Sequence, residues 1–392
     1  MTGWCWTFEG VRRQKTEDRR QKTEDRRQNY LCGSDRPNPG QPGTWPGLPR
    51  RSPAEIPGHR GEGEGGRAPS HEPAVKYHGI VDLIRYPDDQ RPSAWKTPVL
   101  ALGNFDGLHR GHMKIIDRVH RTAEERGATP VVLTFDPHPT RVLRPDKAPL
   151  VLMTEAQKVE VLAAAGMRGV AIVRFTAEMS RWEPEQLVRL VLVEWLGVSE
   201  VWVGGNFLFG RDRTGTFAVL RSLGERYGFR ADKIDPVCVR DAVVSSTRIR
   251  RLLAEGRVDE AAILLGRHFF IDGEVVGGDE RGRELGFPTA NLGTGNEMVP
   301  ANGVYATIAR TADGFQPAVT NVGVRPTFDG GGACSIETHL LRGGRDLYGV
   351  QLRLYFVQRL RDEHAFVSAD ALRARIAEDC REARALFEQI SV

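Results

Sequence analysis

The sequence predicts three parts: a disordered N-terminal tail, an α/β domain built on an open parallel sheet, and a small antiparallel β-barrel followed by a C-terminal helix. Three observations carry this reading. Residues 1–74 hold 11 Gly and 9 Pro, a level typical of segments that bury no core. From residue 97 to residue 265, short β-rich runs alternate with helical periodicity, as in a parallel sheet with crossover helices. After Gly266 the helical pattern stops, and β-rich runs separated by Gly/Asp/Pro turns take over. The expected boundaries are 1–74, 75–265 and 266–392.

Taken in order, the elements follow from spacing. Residues 98–103 (PVLALG) form a short apolar run, and 111–127 place Met113, Ile116, Val119 and Ala123 on one helical face. Strands are expected at 130–135, 169–175, 200–203 and near 229–239. Helices are expected over 154–165, 183–196, 215–227, 246–255 and 257–265. The barrel strands fall at 269–276, 303–309, 316–322, 335–341 and 351–357. Residues 368–390 then carry Leu372, Ile376, Ala383, Leu386 and Ile390 at helical spacing, a closing helix for the barrel.

Composition narrows the function classes. The 392 residues suit two or three domains at about 100–200 residues each. The tail has 13 basic and 10 acidic residues, leaving 42 against 41 in the rest, so the folded part has no nucleic-acid footprint. Five cysteines at 5, 32, 238, 334 and 380 exclude a disulfide framework or a cysteine-rich zinc module and suit a reducing compartment. The apolar stretch 187–198 is broken by Arg189 and Glu194 and is too short to span a bilayer. Trp4, Cys5 and Trp6 do not begin a secretory signal. These features predict a cytoplasmic protein with neither a nucleic-acid nor a membrane partner; self-association is left open.

Within the tail, RRQKTED occurs twice over 12–25 with a third start at Arg26. No apolar residue occupies the repeat, so it is a solvated charged segment rather than a coiled coil. GEGEGG at 61–66 has the spacing of a dinucleotide fingerprint but neither the strand before it nor the helix after it. A partner-binding arm is the alternative reading of this tail.

Chemistry concentrates in a few stretches. The first strand runs into GNFDGLHRGHMKII at 103–116. A strand, a glycine turn and a helix start point backbone N–H groups and a positive dipole at one spot, an anion site. His109 and His112, three apart, share a helical face and could donate to phosphate oxygens. A metal pair and a core role are the alternatives, and a zinc reading has no third ligand at suitable spacing. Downstream, VSSTRIR at 244–250 reads as an N-cap or, through its hydroxyls and Arg250, as a grip on a polyphosphate. In the barrel, GRELGFPTANL at 282–292 makes a tight loop in which Thr289 and Asn291 are oxygen donors suited to magnesium. Glu337 and His339 in SIETHLL (335–341) share one strand face, on the inner or the outer wall of the barrel.

The pair GNFDGLHxGH and SSTxxR resembles the HxGH nucleotidyltransferase superfamily, whose N-terminal domain is a Rossmann-like parallel sheet. TFDPHP at 134–139 and GGNFLFG at 204–210 narrow the likeness to the FMN adenylyltransferase module of the bacterial bifunctional riboflavin kinase/FAD synthetase family. GFPTANL, DLYG at 346–349 and RDE at 361–363 are similar to the riboflavin kinase module. Gly205, Leu208 and the 342–345 loop depart from the family pattern.

The resemblance covers roughly residues 75–392 and implies two ATP-dependent steps: riboflavin to FMN, then FMN to FAD with release of pyrophosphate. It implies an adenylyltransferase ATP site of Gly103, Phe105, Asp106, Gly107, His109, Gly111, His112, Ser246, Thr247 and Arg250. Phe135, Pro137, His138, Asn206 and Phe207 would hold the flavin. For the kinase it implies nucleotide contacts from Gly282, Gly286, Phe287, Pro288, Thr289 and Asn291, with Mg2+ on Thr289 and Asn291. Glu337 would be the base, and Glu337, Arg325 and Arg361 the flavin contacts. The partners implied are riboflavin, FMN and ATP. An enzyme with one live module, a flavin carrier without turnover and a nucleotidyltransferase for a pantetheine phosphate are the alternatives; the last leaves the barrel unexplained.

Overall fold

A computed structural model describes residues 76–77, 81–277, 282, 286–325, 333–343 and 347–390. The tail expected over 1–74, with its repeat, lies outside the described residues. The sheet and the barrel belong to one compact unit, Lys76–Val392.

The first layer system is a sheet in the order β1-β2-β5-β4-β3-β6-β7. The strands are β1 (Lys76–Tyr77), β2 (Val81–Tyr86), β3 (Val99–Leu102), β4 (Pro130–Asp136), β5 (Gly169–Arg174), β6 (Glu200–Gly204) and β7 (Arg230–Ile234). All pairings are parallel except the short β1–β2 edge. β3 is buried along its whole length, as a strand covered on both faces must be. The helices are α1 (Arg110–Arg126), α2 (Pro139–Leu143), α3 (Glu155–Ala164), α4 (Pro184–Leu187), α5 (Phe217–Tyr227), α6 (Ser246–Ala254) and α7 (Val258–Leu265).

Several local signals set the ends. Thr154 and Gln157 form a reciprocal capping box at the start of α3. Gly127 ends α1 in the left-handed conformation. The topology matters most at β3: the chain winds outward to β4 and β5 on one side, then crosses to β6 and β7 on the other. The crevice where an open α/β sheet binds its ligands therefore lies beyond the carboxyl end of β3.

Three expectations change here. β2 lies before residue 97, where the sequence suggested no strand; its pairing with β5 supplies what its mixed VDLIRY pattern does not. The strand expected near 229–239 splits into β7 and a separate hairpin, β8 (Cys238–Val239) with β9 (Ala242–Val243). Pro236 sits between the two pieces, where a sheet ladder needs a donor. The helix over 183–196 begins as α4 and continues as a π-helix over Val188–Trp195.

The second system is a closed barrel in the order β10-β11-β14-β13-β12-β15. Its strands are β10 (Phe269–Val276), β11 (Ala290–Thr294), β12 (Gly303–Thr311), β13 (Gly314–Arg325), β14 (Ala333–Leu340) and β15 (Gln351–Arg361), with α8 (Ala369–Ile390) following. β11 was missing from the expected set because ANLGT has little β-propensity; pairing with β10 and β14 on both sides holds it. α8 packs Cys380, Ala383 and Phe387 on Val304, Ala306, Val319, Leu341 and Val357, the outer face of the barrel. Cys334 and Cys380 are free thiols.

Arg361 is the main polar tie between barrel and helix. Its Nε donates to both carboxylate oxygens of Asp379 at 2.9 and 3.1 Å, and a second guanidinium nitrogen donates at 2.8 Å. The side chains are 12% and 2% exposed. Breaking such a buried pair from one side costs about 3–5 kcal/mol, because the remaining charge stays buried and unpaired. Asp379→Ala is therefore expected to lower the urea midpoint of unfolding by that equivalent. The double variant R361M/D379L, which removes both charges, recovers most of the loss; equal midpoints for the single and double variants would contradict the role given to this pair.

Candidate functional site

β3 leads directly into the turn Gly103–His109, which ends as the cap of α1. The His109 side chain accepts the backbone N–H of His112 through Nδ1 at 3.3 Å. A neutral His109 then carries its proton on Nε2, which is left for a ligand. The His109 and His112 rings stack 3.6 Å apart at 14°, with the Phe105 ring edge-on to His112 at 5.3 Å. Burial lowers His109 to about 4, helped by the charges of Arg267 and Arg250. Burial also holds His112 well below its ordinary value, with His109 adding to the effect. Both rings are thus neutral donors at neutral pH, and positive charge must come from elsewhere. His112 Nδ1 is buried without a hydrogen-bond partner among the described residues.

The backbone of this turn is unusual. Phe105, Gly107 and Leu108 have φ of 47°, 80° and 41°, left-handed values that ordinary side chains rarely adopt. A Cβ at Gly107 would lie 2.6 Å from Leu152, so glycine is required there. A Cβ at Gly111 would press on the His109 ring at 3.1 Å. Such strain persists only when surroundings hold it. Thr134 Oγ1 donates to the Asn104 carbonyl at 2.9 Å, and Ser246 Oγ donates to that of Asp106 at 2.8 Å. The Asp106 carboxylate accepts the Leu152 N–H at 2.9 Å and pairs with Arg250, which also donates to the Leu150 carbonyl at 2.7 Å.

These contacts bring most of the expected adenylyltransferase residues together: Phe105, Asp106, Gly107, His109, Gly111, His112, Ser246 and Arg250 form one cluster, with Gly103 packed against the Phe105 ring. Asp106 is buried, and both of its oxygens are engaged by protein donors, the Leu152 N–H and the Arg250 guanidinium. The cap of α6 is Ser245, whose side chain accepts from Arg248 N–H. That leaves Ser246 for the turn and Thr247 exposed at the helix start.

The stretches read as flavin contacts, TFDPHP and GGNFLFG, follow β4 and β6, the two neighbours of β3. His138 caps α2 through Nδ1, and burial lowers its pKa, with Asp106 opposing that effect and Arg250 and Lys158 adding to it. Phe135 lies edge-on to Phe175 at 6.0 Å, and Phe207 stacks on Phe209 at 5.4 Å. Pro137 is half-buried between Phe135 and His138, and Asn206 is exposed. Gly205 and Leu208 are exposed as well.

Sequence reasoning missed Lys158. Its ammonium projects from α3 onto the Asn104 carbonyl at 3.2 Å and Thr134 Oγ1 at 3.5 Å. Burial lowers its pKa, while Asp106, Asp136 and Glu155 oppose that effect. Nothing local marks this lysine; only the sheet order brings α3 beside the turn.

The barrel carries a second cluster. On β14, Ile336, Thr338 and Leu340 are buried, whereas Glu337 and His339 are partly exposed on the opposite face. Thr338 continues a buried hydroxyl chain with Thr320 and Thr307 at 3.0 and 2.7 Å. His339 pairs in register with Val319, which lies under α8. Glu337 is therefore on the outer wall, where a carboxylate carries little desolvation cost. It pairs across the ladder with Asn291 of β11 and Asn321 of β13, placing three oxygen-bearing side chains in one row. Asn321 is the member of that row that sequence reasoning did not select. Ser335 Oγ donates to Glu337 at 3.2 Å.

The loop before β11 is fixed against the same strand. His339 Nδ1 donates to the Pro288 carbonyl at 2.9 Å, and the Phe287 ring lies edge-on to His339 at 5.5 Å. Gly286 has φ of 83°. Gly282 approaches so closely that a Cβ would sit 2.5 Å from the Phe287 carbonyl and 2.9 Å from Thr289 Oγ1. The loop thus meets β14 through Phe287 and Pro288 at His339, Gly282 closes on Phe287 and Thr289, and Asn291 stands opposite Glu337. Arg361 does not join them as a flavin contact: its guanidinium is committed to Asp379. The side chain of Arg325 and residues 344–346 of the 342–345 loop and DLYG element lie outside the described residues.

The FAD synthetase family model matches residues 91–248, and the riboflavin kinase model matches residues 265–387. The bifunctional riboflavin kinase/FMN adenylyltransferase of Pseudomonas fluorescens is 38% identical over 306 residues, covering 78% of this chain and 98% of the relative. The enzyme of the same description from Escherichia coli K12 is 37% identical over 290 residues, covering 74% and 92%. That of Bacillus subtilis is 35% identical over 297 residues. A crystal structure from Streptococcus pneumoniae, described as a macrolide-efflux protein, superposes with a TM-score of 0.71 at 28% identity, covering 78% of this chain and 99% of that one. Among the described residues of the present chain, no helix is long and apolar enough to cross a membrane. With both modules matched in order and the relatives covered along nearly their whole length, this chain belongs to the bifunctional riboflavin kinase/FMN adenylyltransferase family, enzymes that use ATP to phosphorylate riboflavin to FMN and then adenylylate FMN to FAD.

Proposed function

We propose that the two reactions run at the two clusters described above, adenylyl transfer beyond the end of β3 and phosphorylation on the outer wall of the barrel. The observation that carries this reading is the meeting of three separate sequence stretches at the ends of the adjacent strands β4, β3 and β6, with the start of α6 beside them. The functional division is 75–265 for adenylyl transfer and 266–392 for the kinase. The near-balance of charge in this part and its lack of a membrane-crossing helix among the described residues favour a cytoplasmic enzyme needing neither nucleic acid nor membrane.

In adenylyl transfer, an FMN phosphate oxygen attacks the α-phosphorus of ATP, and the bond to the β-phosphate bridging oxygen breaks, releasing pyrophosphate. The nucleophile is already an anion, so no base is required. Neutral His109, through Nε2–H, and His112 donate to phosphate oxygens as charge shifts toward the leaving group. Arg250 and Lys158 supply the positive charge that two buried neutral imidazoles do not. Ser246, Thr247 and the first amides of α6 complete the phosphate grip. Phe135, Pro137, His138, Asn206 and Phe207 line the flavin side.

In the kinase reaction, Glu337 takes the proton of the riboflavin 5′-hydroxyl as that oxygen attacks the γ-phosphorus of ATP, and ADP leaves. The donors beside Glu337 suit magnesium. Thr289 and Asn291 offer neutral oxygens, and among the described residues no group of three or more His, Cys, Asp or Glu side chains could hold a metal by itself. Such a set fits an ion carried largely by ATP phosphates and water; when bound, Mg2+ neutralises phosphate charge. Asn321 and His339 orient the Glu337 row and the 286–289 loop.

His109→Ala is expected to lower FMN-to-FAD turnover by about 10²–10³-fold while leaving riboflavin-to-FMN turnover unchanged. Glu337→Gln should lower the kinase step by about 10²–10⁴-fold and spare adenylyl transfer. Chromatographic separation of riboflavin, FMN and FAD over time reads both steps, and loss of both activities in either folded variant would refute two separate sites. The buried histidines also govern acid stability. Between pH 6.5 and 4 the unfolded chain binds a proton at His109 that the folded chain resists, so this group removes about 3 kcal/mol as pH falls through that window. Urea midpoints from pH 7 to 4 should therefore fall less steeply for His109→Gln than for the native chain.

A further inference from the structure

The turn that carries His109 is supported from the barrel side of the chain. α7 ends at Gly266, whose φ of 75° reverses the chain. The next residue, Arg267, lies two positions before β10. Its guanidinium donates to the Gly107 carbonyl at 2.7 Å and to the Leu108 carbonyl at 2.8 Å. These are the two residues immediately before His109, and both have positive φ. Arg267 also touches the Met153 sulfur at 3.6 Å and lies 6.0 Å from the centre of the Phe270 ring, the second residue of β10. No carboxylate among the described residues pairs with it, and its Nε is buried without a partner.

A largely buried cation met by two carbonyls, a thioether sulfur and an aromatic ring, with no carboxylate among the described residues, carries a desolvation cost that a hydrophobic residue would not. What it provides is geometry: one planar fork fixes two consecutive peptide planes in a turn that glycine and leucine would not hold unaided. The stitch is double. Arg110, the first residue of α1, donates through Nε to the Ile263 carbonyl of α7 at 2.7 Å. α1 and the junction between the modules thus hold each other at two points on either side of His109.

We propose that Arg267, supplied at the entrance to the barrel, is a positioning residue for adenylyl transfer, setting the Gly107–Leu108 peptides so that His109 meets the phosphates. It touches no reacting atom and acts through the turn. This rests on the role given above to His109. Arg267 has no part in the kinase row, which lies on β11, β13 and β14.

The test uses the full-length chain. Arg267→Met keeps the buried stem and removes both donors, and Arg267→Lys keeps a charge that cannot span both carbonyls in one plane. Both, with His109→Ala alongside, would be assayed for riboflavin phosphorylation and for FMN adenylylation. Arg267→Met is expected to lower kcat for adenylylation by about a hundredfold, the effect of a displacement near 1 Å at reacting groups. KM for FMN and ATP should stay within about twofold, and kinase turnover should be unchanged. Arg267→Lys should recover part of kcat, and if Arg267→Met fails to fold, the same split is read on the lysine variant. Unchanged adenylylation in a folded variant, a rise in KM alone, or a parallel fall in kinase turnover would overturn the proposal. Should His109→Ala itself leave adenylylation intact, the histidine assignment fails first; should it abolish adenylylation while Arg267→Met does not, only the clamp fails.

Discussion

A single buried carboxylate holds the turn after β3, the proposed adenylyl-transfer site, in shape. Asp106 is almost wholly removed from water, yet it stays paired because Leu152 N–H and the Arg250 guanidinium both reach it. Three stretches distant in sequence are tied at one charge: the turn after β3, the segment before α3, and α6. Take the carboxylate away and Arg250 is left buried beside the site without its counter-charge, and the positive-φ turn loses its anchor to the 150–152 segment. The neutral histidines depend on the same arrangement. Their stacked rings remain uncharged because they are buried beside cationic side chains, so the site's charge and its hydrogen-bond donors are divided among different residues.

Much of this was legible beforehand because it is written in local code. Strand–glycine turn–helix pointed to an anion site, and the oxygen donors Thr289 and Asn291 in GFPTANL with Glu337 and His339 on one face of SIETHLL pointed to a second polar centre. What stayed hidden depended on neighbours across the sheet. Lys158 carries no motif; its relevance comes from α3 lying over the Asn104 carbonyl. Asn321 became visible only when the register set it opposite Glu337. The face taken by Glu337 could not be read from a period of two, which says which residues share a face but not which face is inside. Arg361 is implied as a flavin contact by the likeness of RDE at 361–363 to the kinase module, and its carboxylate partner Asp379 lies on α8, eighteen positions later, where no local motif points.

The two modules are not beads on a string. Gln157, capping partner of α3, donates to Asp272 of β10 at 3.0 Å and exchanges hydrogen bonds with Asn296 at 3.0 and 2.9 Å. Glu160, one turn on, accepts from Arg353 of β15, and Arg353 also pairs with Asp272 and covers the Phe270 ring at 4.2 Å. Direct polar groups, rather than apolar surface alone, decide how the barrel sits on the sheet domain, which fixes orientation more tightly than a greasy contact would.

That polar seam has an evolutionary consequence. Gln157, Glu160, Asp272, Asn296 and Arg353 form one connected network, with Thr154, Thr294 and Arg310 at its margins, so a change at any one strands a donor or an acceptor in the others. Such positions drift together or not at all. Chimeras that join a sheet domain from one relative to a barrel from another should succeed when both parents share this five-residue set and fail when they do not, whatever the overall identity of the two halves.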